Sequence, residues 1–123
     1  MEKKLAVIES ARMDYFDRGI MMVYAPAQYE DGWHQDVLGT CLDEYDKEKE
    51  QRVGTAEGMN FLIKLLQFFG VNNLTEVKNH YCYVLTEGEG LACKPIGLEQ
   101  LEVNRNGRCK LKKLIYADCF KRE

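Results

Sequence analysis

The sequence predicts an α+β fold: an antiparallel β-sheet packed against one main α-helix in a compact single domain. Three observations carry this. Short apolar stretches flanked by turn residues occur toward both ends of the chain, and one helical stretch between them is apolar almost all round. A length of 123 residues with 46% hydrophobic side chains suffices for one core and not for two.

Residues 5–13 read as a first strand and residues 20–24 as its antiparallel partner, with Asp17 and Gly19 supplying the turn between them. Trp33 and His34 lead into a third strand over residues 36–42, in which Gly39 marks a bulge or a close backbone approach. Residues 43–50 carry charge of both signs. They lack the alternating oxygen ligands and glycine of a calcium loop, so they read as a solvated connector.

A helix is expected over residues 56–69. Thr55 suits the N-cap, Glu57 matches the positive end of the helix dipole, and Gly70 stands where left-handed backbone ends a helix. Asn60, Lys64 and Gln67 form one narrow polar stripe, whereas a surface helix normally buries about a third of its circumference. That breadth calls for cover from more than one side, by the sheet and by another helix or a second subunit. A homo-oligomer is therefore expected.

Asn73 can cap a short turn of helix over residues 74–78. Residues 80–86 and 91–96 flank Glu87-Gly88-Glu89-Gly90 and read as a second hairpin, with Pro95 placing the latter strand at an edge or near its end. Asn106-Gly107 signals a tight turn, and residues 111–120 suit either a strand or a short helix.

Charge is divided unevenly along the chain. Residues 1–60 hold thirteen acids and seven bases, residues 61–123 seven acids and ten bases, for a total of −3. The bases concentrate in residues 103–123, and such a run is ordinarily a solvated face, or else an anion site. A net acidic molecule lacks the field that sequence-independent nucleic-acid binding needs, so direct nucleic-acid binding is not expected. No apolar stretch approaches the roughly 20 residues that span a bilayer, and none follows the charged start as a signal peptide requires. A soluble, unprocessed cytoplasmic protein is expected.

Five cysteines without a CxxC pair suit free thiols in a reducing compartment. His80 and Cys82 would share one side of a strand, but a closed zinc site needs four ligands and no second close pair exists, so no metal is expected. Cys82 and Cys93 read as small buried residues in strands, and His34 and His80 as ordinary hydrogen-bonded histidines. There is no GxSxG, HExxH, Walker loop or dinucleotide fingerprint, and Gly88-Glu89-Gly90 leads into a strand where a phosphate cradle would open a helix. No cofactor and no catalysis are expected. Binding is better supported. Seven tyrosines and one tryptophan offer surfaces for stacking, and Arg52, Arg105 and Arg108 suit phosphate or carboxylate.

Arg52-Val53-Gly54-Thr55-Ala56-Glu57-Gly58-Met59-Asn60-Phe61-Leu62 is followed by Phe69-Gly70-Val71. Together with Asp17-Arg18-Gly19-Ile20 and the Gln35, Gly39, Leu42-Asp43 segment, it resembles small phage and prophage proteins over roughly residues 5 to 100. Of the glycine pair usual in the third-strand segment, only Gly39 is present. Within that group the chain is similar to the Thoeris anti-defence proteins, sponges that sequester cyclic ADP-ribose isomers between subunits without cleaving them. The resemblance implies a nucleotide signal as partner in the host cytoplasm. It also implies phosphate contacts at Arg52, Arg105 and Arg108, with Tyr81 or Tyr83 stacking on adenine. An alternative from the charge distribution is an anti-CRISPR-type inhibitor whose acidic half occupies the basic channel of a host defence protein.

Overall fold

The computed structural model describes residues 2–16, 20–88, 93–101 and 111–120, and the side chain of Phe16 is not among what it describes. It is an α+β domain in which a curled antiparallel sheet wraps one helix. The strands are β1 (Glu2–Ile8), β2 (Arg12–Phe16), β3 (Ile20–Tyr29), β4 (His34–Cys41), β7 (Tyr81–Glu87), β8 (Lys94–Glu99) and β9 (Lys113–Ile115); β5 (Asp43–Asp46) and β6 (Gln51–Gly54) form a separate ribbon. The helix α1 spans Ala56–Phe69.

The first predicted strand is in fact two. The chain breaks step at residues 9–11, so that β2 pairs with the first half of β3 (Arg12 opposite Tyr24) and β1 with its second half (Ile8 opposite Ala27). The Glu9 N–H still reaches Pro26 O at 2.9 Å, so the interruption bends the strand without detaching it from β3. Strand β3 accordingly runs five residues beyond its predicted end at Tyr24, carrying β4 along its other edge. Beyond β1 follow β7, β8 and β9. Pro95 is the second residue of β8, ahead of the stretch from Gly97 that pairs with β9, so its missing N–H costs that ladder nothing.

Period-two alternation puts Ala6 and Ile8, then Val23, Ala25 and Ala27, then Cys82 and Val84 on the concave face, all of them buried. Phe61, Leu65, Phe68 and Phe69 of α1 fill the curl. The last element, a 3-10 helix over Tyr116–Phe120, follows directly on β9, so residues 111–120 adopt both predicted states in succession. It lays Tyr116 edge-on against Phe61 (5.9 Å between centroids), and the Tyr116 hydroxyl donates to Val37 O at 2.5 Å, tying the end of the described chain to β4.

The helix ends follow the sequence. Thr55 Oγ1 accepts the Gly58 N–H at 2.9 Å and donates to Leu42 O at 3.2 Å, while Gly70 adopts φ 66°. Asn73 caps the 3-10 turn Leu74–Val77 in the same way, accepting from Glu76 N at 3.1 Å. The cover of α1 is supplied mostly within the chain. Asn60, Lys64 and Gln67 are exposed as expected, and Met59 and Ile63 stay open on an adjoining strip.

The solvated connector is a correction. Residues 43–54 pair as β5 and β6, with Asp46 Oδ1 accepting the N–H groups of Glu48 (2.9 Å) and Lys49 (3.2 Å) in the turn and Glu50 at φ 53°. No helix among the described residues is long and apolar enough to cross a membrane.

Candidate functional site

At one end of the curl, where β1 starts and β3 turns into β4, the concave wall opens into a cleft of about 410 Å3. That size falls within the range of small-molecule sites. Its floor is polar. Lys4 lies on the same strand face as Ala6 and Ile8, one step further toward the mouth, so the alternation that builds the core also aims an ammonium group into the opening. Lys4 Nζ donates to Cys93 Sγ at 3.6 Å and stands 5.4 Å from the centroid of the Tyr29 ring. Among the described residues no carboxylate lies within ion-pair distance of it.

Gln35 links the two walls. It accepts the Tyr29 hydroxyl at Oε1 (2.5 Å) and donates from Nε2 to Cys93 O (3.0 Å), which holds β4 and the start of β8 across the cleft. Burial, reinforced by the neighbouring Cys93, pushes the Tyr29 phenol up to about 12, so it remains a proton donor to Gln35 across the physiological range.

The rim is the β3–β4 turn. Tyr29 N donates to Trp33 O at 2.8 Å, Gly32 takes φ 93°, and Asp31 Oδ1 accepts the Trp33 N–H at 3.0 Å. These bonds fix a turn on which the Trp33 side chain stands 63% exposed beside the opening. His34 borders the same rim and pairs through Nδ1 with Glu9 Oε1 at 2.6 Å.

The three described residues of the predicted site, Arg52, Tyr81 and Tyr83, do not line this cleft. Arg52 lies on β6 and is spent on Asp43: Nε donates to Oδ2 at 3.0 Å and a terminal nitrogen to Oδ1 at 2.8 Å. Asp43 Oδ2 also accepts the Met21 N–H at 3.1 Å, so the pair anchors the ribbon to the start of β3. Tyr81 and Tyr83 lie on the convex face of β7, opposite Val7 and Leu5, and alternate with the buried Cys82 and Val84. Tyr83 carries Lys3 Nζ over its ring at 4.6 Å, and Tyr81 is 54% exposed. One strand, β1, lies between them and Arg52's anchor on β3. The structure thus brings the two tyrosines together and leaves Arg52 apart; Arg105 and Arg108 lie outside the described residues, as does the Asn106-Gly107 turn.

Neither family models, curated proteins nor solved structures match the chain.

Among the described residues no three His, Cys, Asp or Glu side chains gather as metal ligands. His80 faces Phe69 (5.6 Å between ring centroids) and bonds Val77 O through Nδ1 at 3.0 Å. Cys82 is fully buried, as read. Cys93 precedes β8, is half-buried and lines the cleft, which corrects its reading as a core strand residue.

The sequence reading missed Lys4 because it began the first strand at Leu5. Counting the alternation back two residues from Ala6 would have placed Lys4 on the inner face. Nothing in the sequence signalled that Cys93 and Gln35, 58 positions apart, would meet.

Proposed function

We propose that the protein binds and sequesters a small anionic ligand carrying a flat ring, of the nucleotide class, at the cleft between Lys4 and Trp33, without altering it. The observation that carries this is Lys4: an ammonium group on the concave wall, aimed into an opening of ligand size, with no carboxylate partner among the described residues. A phosphate supplies the missing charge, and the exposed indole of Trp33 offers a stacking surface at the rim. Gln35 and Tyr29 are engaged with each other and with Cys93 O, which pre-sets the walls.

In its fuller form the reading is a phage-encoded anti-defence protein that holds a cyclic ADP-ribose-type immune signal in the host cytoplasm, acting as a homo-oligomer. The resemblance noted in the sequence supports that form, and the exposed Met59 and Ile63 support self-association. A second reading, inhibition of a host defence protein, is favoured by one observation. The β5–β6 ribbon stands outside the main sheet and presents the acids Glu44, Glu48 and Glu50 with Tyr45, which is 55% exposed.

Calorimetry and thermal shift against a panel of linear and cyclic adenine nucleotides test the binding reading. A ligand at 100 times its Kd raises apparent stability by about 2.7 kcal/mol. The ligand should be recovered intact, and Lys4→Met or Trp33→Ala should weaken binding by about tenfold or more, which is about 1.4 kcal/mol. A panel without any shift overturns the nucleotide reading and leaves the ribbon as the better-supported surface.

A further inference from the structure

The four described cysteines sit in four different settings. Cys82 is fully buried in the core, where burial pushes its thiol up to about 12. Cys119 is also buried and raised, and donates to Ile115 O at 3.8 Å. Cys41 is exposed on β4, and Arg52, whose charge it feels, is paired with Asp43. Cys93 alone of the four combines access from a cleft of about 410 Å3 with direct contact to a cation, Lys4 Nζ at 3.6 Å. Its backbone is held in place by Gln35 Nε2 on Cys93 O at 3.0 Å.

We propose that Cys93 is a site of thiol–disulfide exchange with small disulfides that carry carboxylates, and that Lys4 selects for them. The thiol proton of Cys93 passes to solvent, and the thiolate attacks one sulfur of the small disulfide. A new S–S bond forms to Cys93 as the old one breaks; the departing thiolate takes a proton from water. The protein cysteine is oxidised and half of the small disulfide is reduced, so no other oxidant is needed. Lys4 acts twice in this step. Its ammonium lies beside the sulfur that becomes negative, and it offers the cleft's unpaired positive charge to the incoming carboxylate. Tyr29 packs alongside and remains protonated, and the one carboxylate among the described lining residues, Asp31, stands on the rim, where it accepts the Trp33 N–H. The proposal does not rest on the nucleotide reading, because its product is covalent and is read by mass.

The full-length protein is incubated with glutathione disulfide, which is anionic, and with cystamine, which is cationic, and the adducts are located by peptide mass spectrometry. Expected is a first adduct on Cys93, forming about five to ten times faster with glutathione disulfide than with cystamine after each rate is normalised to that of an unstructured cysteine peptide. Cys93→Ser should remove that adduct. Lys4→Gln should bring the normalised ratio close to one while Lys4→Arg preserves it, which separates charge selection from any loss of fold. A first adduct on any of the other four cysteines, or a ratio that Lys4→Gln leaves unchanged, overturns the proposal.

Discussion

Asp43 and Arg52 form a two-bonded ion pair in a part of the chain that composition alone marks as solvated. The hydrogen bonds from Arg52, followed by the Met21 N–H, hold the Asp43 carboxyl below its usual range. The sign of the consequence follows by linkage. A carboxyl with a lowered folded-state pKa contributes stability that is present above its unfolded value of about 3.9 and is lost as pH falls through the folded value. Melting temperature should therefore drop on acidification below about pH 4 more steeply in the wild-type protein than in Asp43→Asn, whose ribbon no longer titrates. Equal acid limbs in the two proteins would show that the pair contributes nothing. The same pairing explains why Arg52 makes a poor free phosphate clamp. A guanidinium already saturated by a bidentate carboxylate must give up that partner before it can take another anion. Lys4 has no such partner among the described residues.

At the scale of elements, α1 is fixed by its first turn. Thr55 closes the cap and at the same time bonds Leu42 O, and Gly58 sits against that same carbonyl: a Cβ built on Gly58 would lie 2.4 Å from Leu42 O. Helix propensity alone favours Ala over Gly by about 1 kcal/mol. Here the contact is with backbone at the β4–β5 junction, which cannot swing away, so overpacking decides the sign. Gly58→Ala should destabilise by about 1–3 kcal/mol, and Thr55→Ala by about 1 kcal/mol, both read from denaturant unfolding midpoints at unchanged slope. A stabilised Gly58→Ala would mean that the helix can move off Leu42. The bend at residues 9–11 has a comparable logic. It lets one stretch of chain follow the whole length of β3 while β1 keeps its other edge for β7, and so the sheet continues toward β9 and curls around the helix.

For the whole molecule, a single chain covers most of α1 but not all of it. Phe61, Leu65, Phe68 and Phe69 are covered by the curled sheet and the terminal 3-10 helix, while Met59 (59% exposed) and Ile63 (46%) lie one turn apart on the outside. If these two are the seam of a homo-oligomer, sedimentation at micromolar concentration should show a species heavier than the 14.3 kDa chain, and the Met59→Glu, Ile63→Glu double variant should return it to monomer. Monomer alone would mean that the helix's breadth is met by its own chain.

The α+β class, the helix with both caps, the Asn73 turn and the strand pair around Gly88 were legible in the sequence because each depends on residues within a few positions of one another. Thr55 reaches Gly58 N, Asn73 reaches Glu76 N, and Gly70 needs only its own backbone freedom. The break in the first strand, the pairing of β5 with β6 and the composition of the cleft were decided by tertiary structure. Lys4, Tyr29, Gln35 and Cys93 come from four separate segments, and what brings them to one opening is the register of β1 against β3 and β7 and of β3 against β4. Register is a property of paired strands, so local pattern can say which residues share a face but not which faces will meet.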